Sequence, residues 1–152
     1  NATVLGSYGT ALRDGEFVVG SGDGMGQNST FTLNGTTTDA TATSLFVNGD
    51  TGVTTIARID AVYYYTIDVH AYRTGGASGS GALGDRAFWT LRGIVQDVTA
   101  DETLTGNAAR GTVVGWIVST TYVAGDMKLK VVGAASMNIT WTATARFNEM
   151  KI

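Results

Sequence analysis

His70 is the only histidine of the chain, and Asp68 stands two residues before it, on the same side of any extended segment carrying both. A histidine oriented by a carboxylate is part of a nucleophilic triad, but no nucleophile-elbow sequence is present to hold a serine against it. A histidine at a polar interface is the favoured reading. Asp60, Asp68, Asp97, Asp101 and Glu102 supply carboxylates for paired acid and base work on a glycosidic bond, although sequence spacing does not fix the separation which that chemistry demands. Gly79, Gly81 and Gly84 match GxGxxG, yet a strand pattern follows in place of the helix whose N-terminus holds a phosphate. That segment reads as a flexible hairpin loop. Gly22, Asp23 and Gly24 lack the run of acidic ligands that a calcium loop uses. Cysteine is absent, which excludes thiolate zinc sites, iron–sulfur clusters and cysteine nucleophiles. No metal site and no cofactor is expected.

Binding chemistry is better represented than catalysis. In residues 61–73, Tyr63, Tyr65, Ile67 and Val69 share one face, while Tyr64, Asp68, His70 and Tyr72 share the other. In residues 86–96, Ala87, Trp89, Leu91 and Val95 oppose Phe88, Thr90, Arg92 and Gln96. The first face of each is ordinary core. The second sets aromatics beside charges, too apolar for plain exposure and too polar for a dry interior. Such faces suit subunit interfaces, where aromatic and arginine side chains are enriched. They also suit sugar binding on aromatic platforms. The interface reading is preferred, because a large bare patch is a liability. Tyr64, Asp68, Tyr72, Phe88 and Arg92 are the candidate binding residues, should assembly leave them open. The expected exposed loops at 75–84 and 100–109 are further candidates, since binding residues concentrate on loops carried by a rigid scaffold.

The elements that must position these residues are strands. From Ser136 to Phe147 the sequence alternates strictly, with Met137, Ile139, Trp141, Ala143, Ala145 and Phe147 on one side and polar residues on the other. The chain has 24 threonines and 21 glycines but no proline. Threonine suits the polar face of a pleated sheet, and glycine supplies turns. The pattern predicts strands near 30–34, 43–47, 53–59, 61–73, 86–96, 111–119, 126–133 and 136–147. Turn signals fall at Asn34-Gly35, at residues 48–50, at 75–84 and at Gly125-Asp126. The expected architecture is an all-β sandwich or jelly-roll-like domain of about eight strands over residues 27–152. Residues 1–26, with glycine at short irregular intervals, read as a connecting segment or the remnant of a β-repeat.

Composition excludes several functions. At 152 residues the chain fits one domain able to bury a core without metal or disulfide staples. Its net charge of −3, with all three lysines near the C-terminus, gives no basic stripe for nucleic acid. No apolar run reaches the length of a membrane span, so a soluble chain is expected. It opens on Asn1 in place of methionine, as a processed protein or a fragment does. Asn-x-Ser/Thr triplets begin at Asn1, Asn28, Asn34 and Asn138, as chance predicts where threonine is this common.

Three stretches also carry a family resemblance: residues 9–22, rich in glycine around Leu12-Arg13-Asp14; residues 35–50, containing Thr36-Thr37-Thr38-Asp39-Ala40-Thr41; and the segment from 65–74 through the ending 141–146 that opens on Trp141. In this order they resemble the C-terminal β domain of tailed-phage fibre, tailspike and other virion appendage proteins. The match spans nearly the whole chain. Tyr72-Arg73 stands where that family usually has two basic residues, and its customary prolines are absent. The resemblance implies a homotrimeric, non-enzymatic module of the virion that contacts other virion proteins and attaches to a bacterial surface receptor, most naturally a glycan. A capsid-decorating or fibre-joining protein without a receptor is the alternative, and a depolymerase with a site shared between subunits ranks third.

Overall fold

The computed structural model describes residues 1–20, 26–47, 61–77, 81–96, 99–123 and 126–152, with backbone alone for 99–108, 123 and 126. Among the described residues there is no helix. Strands β1 (Thr3–Leu5) and β2 (Phe17–Gly20) precede β3 (Gly26–Thr37). The two-residue β4 (Thr43–Ser44) and β5 (Phe46–Val47) follow, then the long β6 (Ala61–Gly75), β7 (Arg86–Gln96) and β8 (Thr99–Arg110). Last come β9 (Ile117–Val123), β10 (Asp126–Val132) and β11 (Asn138–Lys151). The larger sheet runs β1-β2-β3-β11-β6-β7-β8, with β5 added against β3, and the smaller runs β4-β10-β9. Neighbours are antiparallel except for the parallel pair β1–β2. The protein is all-β and sandwich-like, as its alternation predicts.

Period-two patterning decides which faces meet. On β11, Ile139, Trp141, Ala143, Ala145 and Phe147 are buried, while Thr140, Thr142, Arg146 and Asn148 are exposed. The buried set joins Ile67 and Val69 of β6, Trp89 and Leu91 of β7, and Met127, Leu129 and Val131 of β10 in one core. Trp141 is its hub. Its ring lies 5.7 Å from that of Trp89 and 5.9 Å from that of Trp116, and its Nε1–H donates to the Thr37 hydroxyl at 2.9 Å. A buried indole keeps its hydrogen bond in this way and avoids an unmet desolvation penalty. Across the two sheets the hydroxyls of Tyr65 and Tyr122 are 2.8 Å apart.

Leu45 is where the chain passes from one sheet to the other. β4 pairs with β10, β5 pairs with β3, and the intervening Leu45 N–H donates to Leu129 O at 2.9 Å. This corrects the expectation of a turn at Asn34-Gly35, for both residues lie inside β3. Gly35 is there because Leu45 crosses over it: a Cβ on Gly35 would stand 2.7 Å from Leu45 Cδ2. Close approach, not a turn, accounts for the glycine.

Two further expectations need correction. Residues 100–109, expected as a loop, belong to β8. Their one large apolar residue is Leu104 in an otherwise polar run, so hydrophobic alternation had nothing to report; pairing with β7 defines the strand instead. Residues 111–116 turn, and the strand expected at 111–119 begins at Ile117. The strand expected at 53–59, the turn at 48–50 and Gly125 lie outside the described residues.

Toward the N-terminus, β2 pairs antiparallel with β3, so the expected boundary at residue 26 falls between neighbours in one sheet. Glu16 anchors the preceding coil. It accepts hydrogen bonds from the backbone N–H of Leu12 and Arg13 and an ion pair from Arg13 Nη1 at 2.6 Å, with both side chains almost wholly buried. The Arg13 guanidinium also lies over the Phe31 ring at 4.3 Å. Burial pulls the Arg13 pKa below its ordinary value, and the adjacent Glu16 carboxylate opposes that shift.

Candidate functional site

The face of the larger sheet turned away from the core carries every candidate binding residue. Strand register places them in rows. Tyr72 faces Arg86 on β7 and Thr140 on β11, and Arg86 in turn faces Arg110 on β8. His70 faces Phe88 and Thr142; Asp68 faces Thr90 and Thr144; Thr66 faces Arg92 and Arg146; Tyr64 faces Ile94 and Asn148. Tyr72 and Tyr64 are eight residues apart on one strand, or about 27 Å at the usual rise. They share a face but no contact.

The rows nearest Tyr72 form a groove of about 470 Å³, lined chiefly by His70, Tyr72, Arg86, Phe88, Arg110 and Thr142. That is within the range of small-molecule sites, roughly 300–1,000 Å³. Its shape follows from side-chain size. Thr140 and Thr142 on β11 are short, whereas the aromatics of β6 and β7 stand above the sheet. His70 and Phe88 pack ring to ring at 5.1 Å, an antiparallel cross-strand pair. Tyr72 is about half exposed and its hydroxyl lies beside Gly84 in the β6–β7 turn. In that turn the buried Asp85 accepts from Ala82 N–H at 2.7 Å.

Of the five candidates, Tyr72 and Phe88 line the groove. Asp68 lies one row away and is already engaged: Thr90 Oγ1 donates to one oxygen at 2.8 Å and Arg146 Nη1 to the other at 2.7 Å. Partial burial works to raise its pKa, but the hydrogen bonds from Arg146 and Thr90 and the arginine's charge outweigh this and hold it below the usual carboxylate value. Asp68 therefore serves Arg146 and Thr90, and does not hydrogen-bond His70. Arg92 is exposed two rows from the groove, and Tyr64 is exposed three rows beyond Asp68's side of it, at the apolar end of the face. Sequence periodicity missed Arg86, Arg110, Thr140 and Thr142 as site residues. Their alternation was visible for β11, but the facing of Arg86 and Arg110 depends on the β7–β8 register, which has a bulge between Phe88 and Thr90.

The far end of the same face is greasy. Two groups of apolar side chains are exposed there, Leu5, Phe17 and Val19 on β1 and β2 and Tyr64, Ile94 and Met150 on β6, β7 and β11, with Asn28 and Asn148 of β3 and β11 between them. Among the described residues no three of His, Asp and Glu converge on a metal site.

No family model and no curated protein sequence matches the chain. Solved structures that share its fold include two phage tailspikes. The tailspike protein of Acinetobacter phage vB_ApiP_P1 aligns with a TM-score of 0.50 and 15% identity over 81% of this chain and 22% of that one. The tailspike gp49 of Acinetobacter baumannii bacteriophage Fri1, a capsular polysaccharide depolymerase, aligns with a TM-score of 0.50 and 13% identity, over 88% and 19%. The chain thus spans about a fifth of the length of either tailspike. The expectation of a non-enzymatic module is overturned by the second, an enzyme that contains this fold. A sheet face without a legible triad says little about catalysis where carboxylates are brought together only by folding.

Proposed function

We propose that this chain is a homotrimeric, C-terminal module of a tailed-phage appendage of the tailspike kind, carried on the virion and engaging bacterial surface polysaccharide. The observation that carries this reading is the division of one sheet face between an end with two exposed apolar clusters and a basic, aromatic-lined groove. Exposed apolar clusters of this kind mark an interaction site, and a threefold ring would seal the cluster on β1–β2 of one copy against that on β6–β7 of its neighbour. The groove is far enough along the strands for subunit burial and ligand binding not to compete. Tyr72 and Phe88 then stack on sugar rings, Tyr64 belongs to the subunit contact, and Asp68 and Arg92 continue the polar track between them. The fold shared with tailspikes, one of them a depolymerase of capsular polysaccharide, supports polysaccharide as the ligand and capsule breakdown as the setting.

Labelled protein is expected to coat encapsulated bacteria of a susceptible strain and to ignore an isogenic strain stripped of capsule. Equal coating of both strains, or of neither, would sink the proposal. Reducing ends released from purified capsule in the same assay report whether the polysaccharide is cut where it is held.

A further inference from the structure

We propose that the groove selects an acidic polysaccharide, holding the carboxylate of a uronic acid between Arg86 and Arg110 while its ring stacks on Tyr72 or Phe88. This rests on the polysaccharide reading above and names the chemical class that the site takes. Arg86 and Arg110 face each other directly across β7 and β8, and both are exposed. Like charges in directly opposed cross-strand positions repel. Among the described residues no carboxylate lies within ion-pair distance of either. Two acids of the neighbouring strands are committed elsewhere: Asp68 to Arg146 and Thr90, and Asp85 to the backbone of its own turn. In a chain of net charge −3, this leaves a doubly positive spot with no internal neutraliser among those residues.

An anion resolves that repulsion. Guanidinium groups present forked donors matched to a carboxylate, and charge-assisted bonds of this kind are the strong ones. The remaining lining fits a sugar. Tyr72 and Phe88 offer apolar ring faces, and Thr140 and Thr142 offer hydroxyls to ring substituents along β11. A neutral glycan would use the aromatics and threonines but leave both arginines unanswered. A simple inorganic anion would answer the arginines and leave the aromatic wall unused.

The test is calorimetric titration of the full chain with oligogalacturonate and with its carboxyl-reduced, neutral counterpart. Oligogalacturonate is expected to bind about tenfold more tightly than the reduced sugar. That preference is expected to shrink from 50 to 500 mM sodium chloride. The double variant Arg86→Ala, Arg110→Ala, exposed and therefore compatible with folding, should abolish the preference, with an unchanged circular dichroism spectrum. Tyr72→Ala should weaken both sugars alike. Equal binding of the two sugars, with loss in Tyr72→Ala, overturns the acidic assignment and leaves the polysaccharide reading standing. Binding of neither sugar, while encapsulated cells are still coated, also overturns the assignment and not the reading. Displacement of oligogalacturonate by equimolar inorganic phosphate overturns it in favour of a plain anion site.

Discussion

Glu16 is a charged residue with essentially no exposed side chain, and it forms an ion pair with Arg13 in the same coil. Removing one member of a buried pair leaves the other's charge less compensated, at a cost of up to about 3–5 kcal/mol. Glu16→Ala should therefore lower unfolding stability by about that amount in urea titrations. Asp14→Ala, at an exposed carboxylate in the same coil, should stay within about 0.5 kcal/mol. Asp68 and Arg146 give the pH-dependent counterpart. The folded state depresses the Asp68 pKa, so the contribution is present above the unfolded value near 3.9 and lost as pH falls through the lower, folded one. Arg146→Ala should cost about 0.2–1 kcal/mol at pH 7, given the exposure of the arginine, and the cost should vanish on acidification below that window. A difference that persisted at low pH would assign the effect to packing of the arginine stem. At this scale the sequence was partly legible. Strict alternation in β6 and β7 identified which aromatics and charges share a face. It was blind to Arg86 facing Arg110, because that juxtaposition depends on a bulged register between residues 24 positions apart.

Strands were legible where one face is continuously apolar, as in β6, β7 and β11, and illegible where pairing alone holds them. β8 is the clearest case: its polar sequence resembles a loop, and β7 supplies the template that makes it a strand. Gly35 misled for a different reason, since Asn-Gly is a strong hairpin signal and nothing local reveals a crossing side chain. The crossing is testable. Gly35→Ala should destabilise the protein by about 1–3 kcal/mol, because Leu45 must give way in a packed core. In a Leu45→Ala background the same change should be nearly neutral, and chemical denaturation of the four proteins would show the coupling. Additive costs would mean that Gly35 is required for the backbone path alone.

For the molecule as a whole, the proposed reading puts assembly and binding at different ends of the outer face. Ile94→Lys puts a charge beside Tyr64 in the cluster on β6 and β7. Sedimentation is expected to report a trimer for the parent chain and a monomer for the variant, with the groove still intact in each subunit. An unchanged trimer would remove this end of the face from the contact. The order of strands has another bearing. β11 pairs with β3 on one side and β6 on the other, yet it is synthesised after every strand it joins. Until it emerges from the ribosome, the two halves of the larger sheet have open edges and nothing to bridge them, a hazard for sticking to sister chains on the same polysome. Folding of this domain must then wait until residues 138–151 have been synthesised, and a ribosome stalled before residue 138 should expose a protease-sensitive nascent chain.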